Sequence, residues 1–356
     1  MKVEDFDYQL PEELIAQDPI EPRDASRLLI MDKHTGALRH SVFNQLGQEL
    51  HPGDMLVIND TKVLPARLFA TKESGAAIEL LLLKQVELNL WQCLVRPGRK
   101  ALPGVKLNFA LPELTAQIED FSEEGTRLIR FYPQGDFFSV LDKLGTMPLP
   151  PYIKKPLTDQ DRYQPVYARE RGSAAAPTAG LHFTPGLMSS LQQQGILFTK
   201  IMLHVGLGTF RPVKSETVEG HNMHSEFYRV TDEAAAAINT AREAGGRIIA
   251  VGTTAVRTLE TVAADDGTMK AEEGWTQKYI YPGYRFKLID GMITNFHLPK
   301  STLIMLVAAM GGRENVLHAY QTAIEEKYRF YSFGDAMLIT GRMPERKDED
   351  EKAQET

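Results

Sequence analysis

The chain has 356 residues, 43% of them hydrophobic, and 40 Lys and Arg against 47 Asp and Glu give a formal charge of −7. That length accommodates two buried cores, and no apolar run approaches the roughly 20 residues of a membrane-spanning helix. The acidic start, MKVEDFDYQLPEELIAQ, reads as no signal peptide, and the single Cys93 cannot form an internal disulfide, so the expected setting is the cytoplasm.

Residues 1–60 read as mixed α/β: a short helix over 11–17, a strand over 27–31, a helix over 43–50 and an apolar strand over 54–59. From about 66 to 132 short apolar strands (68–70, 77–83, 91–95, 127–131) alternate with Gly and Pro turns, which predicts a small all-β barrel or sandwich. A helix over 137–144 follows, then the stiff, proline-dense linker 147–152. Beyond residue 163, strands over 196–205 and 247–251 alternate with helices over 187–194, 232–243 and 255–263, and helical runs at 301–309 and 315–328 come last. Repeated βα units imply an α/β domain with a mixed sheet, comprising 1–65 and 146–344, interrupted by an inserted small barrel-like all-β domain at 66–145. The charged tail 345–356 lacks apolar residues and is expected to be disordered.

Charge is uneven along the chain. Between residues 61 and 106 stand eight Lys or Arg and three Glu, net +5, in a chain of net −7. A basic patch on an acidic body suits docking to a phosphate backbone. Lys62, Arg67, Arg96, Arg99 and Lys100 are the expected nucleic-acid contacts.

Histidines carry the strongest chemical signal. Five of the nine (His182, His204, His221, His224, His297) sit in polar, glycine-containing segments, and imidazole titrates where proton transfer at neutral pH needs it. The segment 172–184, GSAAAPTAGLHFT, lets a ligand approach the backbone and supplies Thr178 and His182. Segment 204–210, HVGLGTF, puts His204 and Gly206 at a strand end, where α/β folds bind ligands. No GxGxxG or Walker pattern supports a dinucleotide or P-loop site. In 221–226, HNMHSE, the spacing fits no standard zinc motif, and acid–base work by His224 and Glu226 is the preferred reading. Segment 251–260, VGTTAVRTLE, joins a strand to a helix whose natural N-caps are Thr253 and Thr254, with Arg257 one turn in to grip an anion. Asn295 and His297 end another strand, and 327–335, KYRFYSFGD, interleaves bases and aromatics in a way that suits stacking on an unpaired nucleobase.

Taken in order, NDT at 59–61, PAR at 65–67, MPLPPY at 147–152, AAPTAGLH at 175–182, HVGLGTF at 204–210, MHSE at 223–226, VGTT at 251–254, YPG at 281–283, TNFHLP at 294–299 and STLIM at 301–305 closely resemble one family. It is the S-adenosylmethionine:tRNA ribosyltransferase-isomerases of queuosine biosynthesis. The resemblance runs essentially end to end, with small departures at Ala174, Ala255 and Lys62 that touch fine substrate contacts. It implies transfer of the ribosyl part of S-adenosylmethionine to 7-aminomethyl-7-deazaguanine at the tRNA wobble position, giving epoxyqueuosine, adenine and methionine. It implies no metal or other cofactor, S-adenosylmethionine being consumed as substrate. Its partners are tRNA and S-adenosylmethionine, with no membrane and no stable protein partner expected. By residue type, His182, His204, His224 and Glu226 are the expected acid–base groups, and Thr178, Gly206, Thr253, Thr254, Arg257, Asn295 and His297 the expected substrate contacts.

Overall fold

The computed structural model describes residues 1–122, 125–206, 213 and 215–341. The expected α/β domain with a mixed sheet and an inserted barrel is the observed architecture. Nine strands form one sheet in the order 272–276, 226–230, 197–203, 55–59, 248–251, 291–295, 336–340, 27–32 and 38–42. Its centre is parallel: Met55–Asn59 pairs with both Leu197–Leu203 and Ile248–Val251, and Ile248–Val251 with Gly291–Asn295. Met55–Asn59, Ile248–Val251 and Gly291–Asn295 are buried along their whole length, and the first two read as apolar runs rather than as alternating strands.

Six antiparallel strands close the barrel in the order 127–133, 90–96, 77–87, 67–72, 106–109 and 114–121. Leu68, Ile78, Leu80, Leu82, Leu107, Ile118 and Ile129 fill its interior with Trp91 and Cys93, alternating with more exposed residues. Helix Phe137–Leu144 closes that core with Phe137, Val140 and Leu141. Cys93 is fully buried there, which pushes its thiol pKa up and leaves it a packing residue.

Several local expectations are corrected. The helices expected at 11–17 and 43–50 are short 3-10 segments, Glu12–Leu14 and Phe43–Gln48, of three and six residues. Strands Lys106–Phe109, Leu114–Phe121, Glu226–Val230, Glu272–Thr276 and Ala336–Thr340 were not anticipated. Thr253 and Thr254 do not cap their helix. Gly252, at φ 90°, is the N-cap, and the two threonines occupy the first helical turn. A side chain at 252 would be strained at that φ, which is why the turn uses glycine. The tail 345–356, and residues 207–210 of the HVGLGTF segment, lie outside the described residues.

Candidate active site

The parallel strands Met55–Asn59, Ile248–Val251 and Gly291–Asn295 all end at one edge of the sheet, the place where open α/β sheets collect ligands. A cleft opens there. The strand ends supply Gly252, Thr294 and Asn295, the 3-10 turn Thr178–His182 supplies Thr178, and the helix start supplies Thr253 and Thr254. His297, Tyr152 and Tyr331 complete the wall. Of the expected substrate contacts, Thr178, Thr253, Thr254, Asn295 and His297 therefore share one cleft. Val205 lines it rather than its neighbour Gly206.

His182 stands one hydrogen bond behind this wall. Its Nε2 lies 3.2 Å from Asn295 Nδ2, its Nδ1 lies 2.7 Å from Ser26 Oγ, and its ring stacks on Phe43 at 5.0 Å. Asn295 Nδ2 also donates to the Tyr331 carbonyl at 3.2 Å, which can only accept, so His182 Nε2 is the acceptor of the pair. Among the described residues the Asn295 Oδ1 is buried without a partner. A buried acceptor left this way is costly, and a ligand donor in the cleft would satisfy it.

Burial, with Arg329 and Arg23 adding repulsion, pushes the His182 pKa down to about 3, and burial alone does the same to His297. Both imidazoles are neutral at pH 7. In the unfolded chain they titrate near 6.5, so their contribution to stability is present above that value and is lost as pH falls from about 6.5 toward 3. Urea unfolding at pH 5 should therefore show wild type losing on the order of 2 kcal/mol per buried histidine relative to pH 7.5. His297→Gln should lose correspondingly less between the same two pH values. Equal losses in the two proteins would mean that His297 is not held neutral by burial.

A second buried cluster lies beside the cleft. Glu226, 4% exposed, accepts from the Gly206 amide at 2.8 Å and is ion-paired with Arg257, also 4% exposed. Arg257 Nε donates to the Lys278 carbonyl at 2.9 Å, and among the described residues its Nη2 is buried without a partner. His204 is elsewhere on the same sheet edge. It is half-buried, bonded through Nδ1 to Thr61 Oγ1 at 2.8 Å, and burial lowers its pKa. His224 is half-buried near His221. The five histidines of the sequence signal thus do not meet in one place.

Two residues not singled out individually by sequence organise the cleft. Asn59 ties it together, donating to Leu203 O at 3.0 Å and Thr254 Oγ1 at 3.2 Å and accepting from the Leu203 and Thr61 amides. Tyr152 packs on Tyr331 with ring centroids 4.7 Å apart. Both lie in segments that the family resemblance quoted (NDT, MPLPPY), which is the signal that pointed to them.

The basic residues are distributed as follows. Arg96, Arg99 and Lys100 are exposed at one end of the barrel, the last two in the 3-10 turn Gly98–Lys100. Arg67 pairs with Glu79 at 3.3 Å. Lys62 lies outside the barrel, on the short strand Thr61–Val63 paired with Glu170–Ser173. Among the described residues no helix is long and apolar enough to cross a membrane.

Comparison with known proteins agrees with the resemblance. The family model described as "Queuosine biosynthesis protein" matches residues 3–339. An S-adenosylmethionine:tRNA ribosyltransferase-isomerase from Thermoanaerobacter sp. (strain X514) is 60% identical over 340 residues, covering 95% of this chain and 100% of the relative. The protein of that name from Desulfitobacterium hafniense is 57% identical with the same coverage. A crystal structure of S-adenosylmethionine tRNA ribosyltransferase from Thermotoga maritima is 42% identical and covers 94% of this chain and 99% of that one, with a TM-score of 0.55. With a whole-chain family match, relatives near 60% identity and a shared α/β-plus-barrel architecture, the chain belongs to the family of queuosine biosynthesis enzymes, the S-adenosylmethionine:tRNA ribosyltransferase-isomerases.

Proposed function

We propose that this enzyme transfers and isomerises the ribosyl group of S-adenosylmethionine onto 7-aminomethyl-7-deazaguanine at the tRNA wobble position. Epoxyqueuosine forms and adenine and methionine leave. The observation that carries the reading is the strand-end cleft. It lies where open α/β sheets gather ligands, at the carboxyl ends of the parallel strands. It combines hydroxyls (Thr178, Thr253, Thr254), an unsatisfied amide oxygen (Asn295) and two tyrosine faces. Hydroxyls and the Asn295 Oδ1 suit ribose hydroxyls and an exocyclic amine. Tyr152 and Tyr331 suit both the adenine ring and the sulfonium cation, which aromatic faces attract.

The sulfonium acidifies the neighbouring ribose carbon, so one group must take that proton, another must assist adenine departure, and a third must free the aminomethyl group for attack. Each such transfer is worth roughly 10²–10⁴-fold. His204 and His224, both only half-buried, are the proposed proton carriers. Glu226, with Arg257 and Gly206, holds the neighbouring strand end. No resident cofactor enters the scheme. The test is incubation of the protein with S-adenosylmethionine and tRNA carrying 7-aminomethyl-7-deazaguanine, followed by mass spectrometry of the nucleosides. Appearance of the ribosylated, isomerised base with release of adenine supports the proposal, and methylated nucleoside instead refutes it.

Lys62, Arg67, Arg96, Arg99 and Lys100 are proposed to contact the anticodon-arm backbone. If about four phosphates are neutralised, tRNA affinity should fall with salt at a log–log slope of about −3 to −4. Reversing charge at Arg96, Arg99 and Lys100, the exposed trio, should weaken tRNA binding and flatten that slope while leaving S-adenosylmethionine binding unchanged. An unaltered slope in the triple variant places the RNA backbone elsewhere.

A further inference from the structure

Strands Glu226–Val230 and Glu272–Thr276 pair antiparallel with Phe227 directly opposite Trp275. Outward side chains on such a strand pair are ordinarily polar, since the inward ones, here Glu226, Tyr228 and Val230, already supply the buried face. This pair is aromatic. Trp275 is 51% exposed, and its ring meets Phe227 edge-on at 5.5 Å. Phe227 in turn lies over the His204 ring at 6.1 Å. From the barrel, Lys84 places its ammonium 4.0 Å from the centre of the Trp275 ring. The barrel and the α/β domain therefore meet at one exposed indole.

The aromatic row starts one residue along the chain from the cleft wall. His204 immediately precedes Val205, which lines the cleft, and Phe227 immediately follows Glu226 of the adjoining buried pair. Cross-strand packing alone explains Phe227, which is half-buried, but gives no reason for a half-exposed indole with a cation above it. An indole face beside a lysine is what a nucleotide needs: a surface for the base and a charge for its phosphate.

We propose that Trp275, backed by Phe227, is a stacking platform for an unpaired anticodon-loop base next to the one taken into the cleft, with Lys84 turning from the indole to that nucleotide's phosphate. The inference rests on the tRNA reading above and adds to it where the flanking nucleotide is held. A wobble base withdrawn from the loop stack leaves its neighbour unstacked, and an aromatic side chain on the same domain replaces the lost partner.

Trp275 and Trp91 are the two tryptophans of the chain, and Trp91 is buried in the barrel. In a Trp91→Phe protein the emission therefore comes from Trp275, and an anticodon stem–loop RNA should quench it. Trp275→Ala should raise the Kd for that RNA by about 5- to 100-fold, Trp275→Phe should recover most of the loss, and the KM for S-adenosylmethionine should stay within about twofold. Lys84→Gln should flatten the salt slope by about one. A purely structural Trp275 would lower the unfolding midpoint in Trp275→Ala and leave RNA affinity alone. That result, in a protein that modifies tRNA normally, overturns the platform and spares the function. Failure of wild type to modify tRNA in the mass-spectrometric assay overturns both.

Discussion

Replacing Arg257 by Met is expected to lower the unfolding free energy by about 3–5 kcal/mol, because it removes the buried guanidinium that is ion-paired with the Glu226 carboxylate. Both side chains are 4% exposed, so the pair is shielded from solvent. The helix Thr253–Val262 that carries Arg257 is buried along nearly its whole length, and there is no room for it to turn away. The loss is not confined to one contact. Glu226 also holds the Gly206 amide, and Arg257 the Lys278 carbonyl, so the pair joins two strand ends, a helix and a loop. Glu226→Gln alone should cost a comparable amount, with the guanidinium now the stranded charge. The double variant Glu226→Gln/Arg257→Met should recover a substantial part, giving a coupling of at least about 1 kcal/mol in a double-mutant cycle. Urea unfolding of the four proteins measures this. Single variants within about 1 kcal/mol of wild type, or strict additivity in the double, would show that the charges are solvated rather than paired. Stability of a domain is ordinarily about 5–15 kcal/mol in total, so the single variants should also populate partly unfolded protein near growth temperature.

That pair shows where sequence reasoning reaches its limit. Glu226 and Arg257 were each legible as functional candidates from residue type and segment, but their partnership was not. It joins a strand not recognised at 226–230 to a helix 31 positions away, and no local periodicity reports such a contact. The same holds for His182 and Asn295, 113 positions apart. Elements with local signals were legible. Helix Phe137–Leu144 begins where the Asp136 side chain accepts from the Ser139 amide, and helix Asp232–Glu243 where Thr231 does the same for Ala234. Strand Ala336–Thr340 was not legible, because all five residues are buried in the sheet centre and no alternation marks them. In the barrel, Leu114, Ala116 and Ile118 do alternate inward, but small Ala116 weakens a signal that a larger side chain would have made plain. Residue type alone makes Thr253 and Thr254 natural caps. The backbone uses Gly252 instead, which leaves both threonines on the cleft wall.

Removing the His182 side chain is expected to cut turnover at least about 10²-fold with the fold retained, and the pH profile decides how. As general base, His182 would need a pKa near the working pH, yet burial holds it at about 3. A neutral imidazole with Nε2 accepting from Asn295 serves a different purpose. It and the Tyr331 carbonyl engage both hydrogens of the Asn295 amide, which leaves Oδ1 as the group presented without a protein partner. We propose that His182 is a positioning residue, fixing Asn295 so that a donor on S-adenosylmethionine finds that oxygen. His182→Ala should then lower kcat and raise the KM for S-adenosylmethionine together, while every limb of the kcat profile between pH 5 and 8 stays where it was. His182→Gln, whose amide oxygen can still accept from Asn295, should recover at least about tenfold of the loss, and Asn295→Leu should reproduce the His182→Ala defect, with little further effect when the two are combined. Disappearance of a pH limb in His182→Ala, with no rescue by Gln, would make the imidazole itself the proton carrier and its burial in the free enzyme a state that substrate binding relieves.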